Sequence, residues 1–401
     1  MMLLNRMNMS QKLTILVVFL LLIAAVPMTL YVKTVIHDLD ITKREAVGTG
    51  PIIALQKAVQ YLQQHRGLST ALLNGNDALA SRISETQREL NKAIDLVDAN
   101  LKEADISAQN VSLWSIQKQR ILDIQKIVLA RQLKAPESTA QHTKIVQDLM
   151  LLSEEVLIES GLLLDPVKNT YFLMNVTMLN TPRLAENIGQ MRATGTSLLA
   201  AGKIDVETHT KLAGIFGNVN QFFSDFIRNV ERVMQSDADM KAALGSKSNE
   251  VRTMIDKTLQ MTNQELLQAK ELKLPSTEYF AESTRTIDAI YDYNFLAADY
   301  LVQALQTRQE NLQQTVYFMV GVIVALLTLA IMFAVFIVRG ITCRMQEAIN
   351  IANAIASGDL TSRIEATSTN ETGRLLQALK TMNENLVDLV GKVRMGTDQI
   401  T

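Results

Sequence analysis

Glycine and proline are scarce, at 17 and 6 in 401 residues, about half the share of an average chain. Sandwiches, barrels and propellers need turn residues at short, regular intervals, so this scarcity excludes an all-β fold. One cysteine, Cys343, excludes an internal disulfide and cannot by itself build a zinc site. Neither sign of charge dominates: 39 lysines and arginines stand against 41 acids. There is thus no global basic field for nucleic acid. What is present is a regular apolar period over long stretches, which argues against disorder and predicts an all-α chain.

The apolar excess is concentrated in two places. Leu13–Val32 and Tyr317–Val338 are uncharged runs of 20 and 22 residues. At 1.5 Å per residue each is long enough to cross a hydrocarbon core of about 30 Å, which makes membrane lipid a partner. A cleaved signal peptide is the alternative for the first run. Its length exceeds a normal apolar region, and Thr34–Val35–Ile36 stand where a small-residue cleavage site belongs, so an uncleaved anchor is expected. Pro27 predicts at most a kink.

Arg6 and Lys12 precede the first run, and Arg339 and Arg344 follow the second, with no acid among either pair. Both ends are therefore expected in the cytoplasm, with the intervening block exported. The expected division is 1–12 cytoplasmic, 13–32 span, 33–315 exported sensor, 316–338 span, 339–393 signal converter, and 394–401 the start of an output module. The block carries 30 basic and 34 acidic residues. A soluble domain between two charge-free spans has the architecture of a receptor rather than a transporter.

Within the block the candidate breaks are Gly48–Gly50–Pro51, Asn74–Gly75, Pro136, Asp165–Pro166, Pro182, Gly202, Gly245 and Pro275. Pro51 reads as a first-turn proline and Gly75 as a helix stop. Ile83, Leu90, Ile94 and Val97 form one helical stripe, and Ile121, Ile124 and Val128 another. Ser276–Val320 has neither glycine nor proline and predicts one helix running into the second span. The block's length suggests an elongated pair of four-helix-type bundles.

Beyond Arg339 the pattern becomes heptad-like. Ile341, Met345, Ala348, Ala352 and Ile355 form one seam; Leu375, Leu379, Met382, Leu386, Leu389 and Val393 form another. Two short amphipathic helices cannot bury such seams alone, so a homodimer forming a parallel four-helix coiled coil is expected. The segments Arg339–Gly340–Ile341, Ile355–Ala356–Ser357–Gly358–Asp359–Leu360 and Glu371–Thr372–Gly373–Arg374–Leu375 resemble a HAMP domain, the linker of bacterial chemoreceptors and sensor kinases. The resemblance marks Ile355, Gly358, Asp359, Leu360 and Glu371 as signal-transmitting. Arg344 stands where that family usually has proline, which predicts a straighter join to the second span.

In the exported block, Leu62–Gln63–Gln64–His65–Arg66–Gly67–Leu68–Ser69 resembles the arginine–glycine–leucine–serine signature of NIT domains, named for nitrate and nitrite sensing. Leu162–Leu163–Leu164–Asp165–Pro166, Tyr171–Phe172–Leu173–Met174, Pro182–Arg183–Leu184–Ala185–Glu186 and Gly189–Gln190–Met191–Arg192–Ala193–Thr194–Gly195 resemble segments recurrent in chemoreceptors of that group. The resemblance implies a small anionic ligand held by arginines on facing helices, with Arg66 and Arg192 the candidates and Arg183 behind them. A guanidinium fork donates two parallel hydrogen bonds to a planar anion. Gly67 and Gly195 would let helices approach around it. The bland alternative is that these arginines are solvated or ion-paired, Arg183 with Glu186 three residues on. A related sensor type for organic acids would use the same arrangement.

The histidines His37, His65, His142 and His209 lack metal spacing and are assigned structural or surface roles, as is Trp114. Tyr171 and Phe172 are expected in the core. No phosphate loop, phospho-acceptor box or nucleophile–base set is legible, so no enzyme, cofactor or metal is expected. The run Leu386–Val393 resembles chemoreceptors, which implies a downstream chemotaxis kinase and adaptor as partners. A sensor histidine kinase or cyclase is the alternative output.

Overall fold

The computed structural model describes residues 9–365 and 371–398; Arg6 and the connector at 366–370 lie outside the described residues. Among the described residues there are helices and turns and no strand. The chain divides into two compact units, one from His37 to Gln313 and one made of the segments on either side of it.

The larger unit is two four-helix bundles. Helices α1 (Met9–Leu73), α2 (Ala80–Glu103), α3 (Ala108–Leu129) and α4 (Ala135–Glu159) supply the first. Trp114 on α3 donates to Asp98 on α2 at 2.6 Å, and Asn110 on α3 donates to Glu159 on α4 at 2.6 Å. Both predicted stripes, Ile83 to Val97 and Ile121 to Val128, are buried, and each such side chain contributes about 1.5–3 kcal/mol of transfer free energy. After the short α5 (Lys168–Met174), helices α6 (Thr181–Ala201), α7 (Val206–Ser236), α8 (Ala238–Thr262) and α9 (Ser276–Ala356) supply the second.

Several predicted breaks are helix interiors. Helix α1 runs through Gly48, Gly50 and Pro51, so Pro51 is not in a first turn. A Cβ on Gly48 would lie 2.2 Å from Ser160, and one on Gly50 2.4 Å from Asn100. These glycines admit neighbouring chain rather than stop the helix. Gly245 is interior to α8. Pro182 follows a π-helical turn, Asn175–Asn180, that joins α5 to α6. Proline offers no N–H to the carbonyl one turn back, and the widened turn re-pairs its groups through side chains. Thr181 Oγ1 donates to the Val176 carbonyl at 2.7 Å, and Gln56 Nε2 from α1 donates to that of Thr177 at 2.9 Å.

The remaining breaks stand. Gly75 and Gly202 have φ of 93° and 63°, and Pro136 lies in the first turn of α4. Asp165–Pro166 separates α4 from α5, and Pro275 precedes α9. Phe172 is half-buried under Arg232, but Tyr171 is exposed, against its expected place in the core.

In the smaller unit the most apolar windows of α1 and α9 reach mean hydropathies of 2.8 and 3.0 with no burial. Phe19, Leu22, Phe318 and Phe336 all face outward. A surface this apolar belongs in hydrocarbon. Helix α9 passes uninterrupted through Arg344 and ends at Ala356. There the Gly358 N–H donates to the Ile355 carbonyl at 3.1 Å and the Asp359 N–H to that of Ala354 at 3.0 Å. With Gly358 at φ 87° this is a Schellman stop. Asp359 Oδ1 then accepts from the Thr361 N–H at 3.0 Å and its hydroxyl at 2.6 Å, which holds the carboxyl below its ordinary pKa. Glu371 opens α10 (Glu371–Asp398), and Asn383 donates to the Leu360 carbonyl at 3.3 Å. Leu376 is 2% exposed, whereas the predicted seam residues Leu375, Met382 and Leu389 are 41%, 42% and 59% exposed.

Candidate functional site

The two bundles meet along α1, and the pairing there fixes helix directions. Arg66 meets Thr143 and Thr70 meets Thr139, so α4 runs antiparallel to α1. Gln56 meets Thr177 and Gln63 meets Glu186, so α6 runs parallel to it. Asn294 donates to Gln56 at 2.8 Å and Tyr291 to Gln63 at 2.9 Å, so α9 is antiparallel. Four helices therefore converge on the α1 turn that carries Gln63, Arg66 and Gly67.

Arg66 is 5% exposed and Glu186 3%. The guanidinium donates Nη1 to Glu186 Oε1 at 2.8 Å and Nη2 to Oε2 at 3.0 Å, a bidentate pair. Nη1 also donates to Thr143 Oγ1 at 2.9 Å. The same carboxylate accepts from Gln63 at 2.7 Å and Gln190 at 2.8 Å. Glu186 thus does not pair with Arg183, as their spacing suggested. Arg183 turns to Glu154 at 2.6 Å and lines a cavity of about 10 Å³, room for one water. It is not brought together with Arg66 and Arg192.

Arg192 is 9% exposed. Nη1 donates to Thr284 on α9 at 2.7 Å, and the guanidinium lies 4.7 Å from the Phe280 ring centre. Its Nε has no partner, and among the described residues no carboxylate reaches ion-pair distance. Burial first, then the neighbouring charge of Arg66, lowers its pKa to about 10. It remains a cation at neutral pH. Glycine makes the space: Arg192 Nη2 lies 3.6 Å from where a Cβ on Gly67 would sit, and Arg66 Nη2 lies 3.2 Å from that position on Gly189. Each arginine covers a glycine of the other's helix. Gly195, expected to serve the ligand, instead packs on Tyr279, whose ring comes within 2.5 Å of the Cβ position.

Behind Arg66 and Thr143 the preceding residues pair as well, His65 Nδ1 to His142 Nε2 at 2.8 Å. His142 Nδ1 lies 2.7 Å from the Ser138 carbonyl, which only accepts, so His142 Nε2 accepts from His65. His65 Nε2 then accepts from Gln87 at 3.0 Å. Both rings are neutral, their pKa values pushed down by burial to about 3 and about 4.

The sequence reading missed Glu186 as partner of Arg66, Gly189, and the α9 residues Thr284 and Tyr291. The signal that pointed there was the motif resemblance of Leu62–Ser69, which carries Arg66 and Gly67.

Residues 57–301 match the family model described as nitrate and nitrite sensing, NIT. The chain belongs to the NIT family. Residues 336–388 match the HAMP domain model. The two domains with two apolar spans make this NIT–HAMP chain a sensory transmembrane receptor that signals through HAMP. It is similar to methyl-accepting chemotaxis protein I of Escherichia coli (strain K12), 30% identical over 132 residues, 31% of this chain and 23% of that one. The chain thus spans about a quarter of that relative's length. The fold is similar to that in the structure of the NasR transcription antiterminator, at a TM-score of 0.55 and 16% identity over 90% of this chain and 95% of that one.

Proposed function

We propose that this NIT–HAMP protein is a chemoreceptor whose exported sensor, residues 33–315, binds nitrate or nitrite between Arg66 and Arg192. The supporting observation is Arg192: a buried cation without a carboxylate partner, its Nε unpaired, held beside a second buried arginine. Asp288 lies within electrostatic reach of Arg192 but does not pair with it, so the site offers a monoanion the unpaired donor of Arg192 rather than a surplus of positive charge. The family description supports the choice of nitrate and nitrite.

Signalling follows from chain continuity. Helix α9 carries Thr284 and Tyr291, continues as the second span, and ends at the Schellman stop beside Ile355. Ligand contact at Thr284 shifts α9, and the HAMP helices convert the shift into a packing change through Gly358, Asp359, Leu360 and Glu371. The exposed heptad Leu375, Met382 and Leu389 supports a homodimer that buries it. Likeness to a chemotaxis protein supports a downstream chemotaxis kinase and adaptor as partners, and the basic residues flanking both apolar runs support cytoplasmic termini.

Isothermal titration of the full chain in lipid nanodiscs with nitrate, nitrite, malate and succinate tests the ligand. Nitrate or nitrite binding is expected, weakened roughly 10- to 100-fold by Arg192→Gln, in line with the loss of a charge-assisted hydrogen bond. Binding of the dicarboxylates alone would replace this reading with an organic-acid sensor.

A further inference from the structure

We infer that Glu186 is a built-in occupant of the anion site, holding the Arg66 fork while the site is empty and yielding donors when a monoanion enters. The inference rests on the reading that Arg66 and Arg192 bind a small anion. Four donors converge on this one carboxylate: both terminal nitrogens of Arg66, Gln63 Nε2 and Gln190 Nε2, all within 3.0 Å. A carboxylate and nitrate present the same planar pair of oxygens, so this cradle fits either. Every donor of the cradle is committed, whereas Arg192 beside it keeps a free Nε. An entering anion therefore gains the unpaired Nε of Arg192 outright, beside an Nη1 already held by Thr284, and must share or displace Glu186 at Arg66.

Two properties follow. Affinity is set by competition with an internal carboxylate, so removing its charge strengthens binding. The retained negative charge also repels a second charge on the ligand, so Glu186 selects monoanions over dianions.

The test is titration of the full chain in nanodiscs with nitrate, nitrite and sulfate, in the native protein and in Glu186→Gln. The amide keeps the size and an accepting oxygen but removes the competing charge. Nitrate binding about 10-fold tighter or more is expected, with sulfate gaining by a larger factor. Unchanged or weaker nitrate binding in the variant, with binding intact in the native protein, overturns the inference and leaves the anion site standing. No nitrate or nitrite binding in either protein overturns the anion site itself, and the inference with it. Should Glu186→Gln fail to fold, Glu186→Asp decides. It keeps the charge but withdraws it from the fork by one methylene. Tighter nitrate binding supports the competition, and equal or weaker binding overturns it.

Discussion

The paired histidines behind the site make the sensor sensitive to acid, with a magnitude fixed by simple linkage. His65 and His142 are fully buried and neutral, and their folded-state pKa values lie below the ordinary 6.5, at about 3 and about 4. A group whose folded pKa is depressed prefers its deprotonated form in the native state. For these rings the stabilising contribution is full above pH 6.5 and is lost as pH falls toward the folded values. At pH 5 both folded values have yet to be reached, so the cost depends only on the distance from 6.5. That is 1.5 pH units, or about 2 kcal/mol per ring and about 4 kcal/mol for the pair. Glu45 acts in the opposite sense: burial first, then Asp165, raises its carboxyl to about 7. Its contribution is full below pH 4.5 and lost as pH rises through 7.

Comparing two proteins that both keep Glu45 isolates the histidine effect. The assay is urea unfolding at pH 7.5 and pH 5, followed by the fluorescence of Trp114. This is the chain's one tryptophan, 2% exposed and inside the larger unit, so it reports on the sensor. The native protein is expected to lose about 4 kcal/mol more than the His65→Gln/His142→Gln double variant over that interval. The variant starts less stable at pH 7.5, because a buried hydrogen-bonded chain has been cut, but its pH dependence is flatter. Equal losses in the two proteins would refute the assignment of buried neutral rings.

Gly195→Ala is expected to cost about 1–3 kcal/mol by thermal unfolding, because Tyr279 is fully buried and hydrogen-bonded to Thr262 at 3.0 Å and has no room to yield. Gly217→Ala, on an exposed face of α7 with open space at its Cβ, is expected to stabilise by about 0.5–1 kcal/mol in the same measurement. Arg308→Gln strips the counter-charge from Glu45 and Asp165, whose side chains are 0% exposed, and is expected to cost about 3–5 kcal/mol at pH 8. The loss should shrink at pH 5.5, where Glu45 takes up a proton. Arg183→Gln removes only the half-exposed pair with Glu154, so nitrate affinity should stay within about twofold by titration, in keeping with the small worth of such pairs.

Periodicity carried most of the fold. The stripes of α2 and α3, the proline-free helix from Ser276 and both apolar runs were legible because helical spacing is a local property. Breaks were legible at Gly75 and Gly202, where glycine takes a positive φ, whereas Gly161, with φ 80° just after α4, was missed. They were misread where glycine serves packing: Gly48 and Gly50 give room to Ser160 and Asn100, residues far away in sequence. Pro182 misled for a related reason, since the π turn just before it is completed by Gln56, which reaches in from another helix. The candidate arginines were legible through motif and the choice of charge partners was not. Three-residue spacing suggested Arg183 with Glu186, but burial decides: the bidentate pair forms where water is absent, between Arg66 and Glu186, and Arg183 finds Glu154 near the surface.

That choice of partners also bears on why the proposed site lies between the bundles rather than inside one. The bundle interiors are filled by side chains such as Leu90, Ile121, Phe226 and Ile255, all fully buried, and opening such a core exposes apolar surface with nothing gained in return. Along α1, by contrast, the buried Gln56, Gln63 and Arg66 and the half-buried Thr70 present polar groups at nearly every turn toward α4, α6 or α9. Hydrogen bonds of this kind can be exchanged for bonds to a ligand at small net cost, since donor and acceptor stay paired throughout. A polar seam therefore admits an ion where an apolar seam cannot. Because α1 and α9 form this seam and also carry the two apolar runs, exchange of a partner at Arg66 or Thr284 bears directly on the helices that enter the membrane.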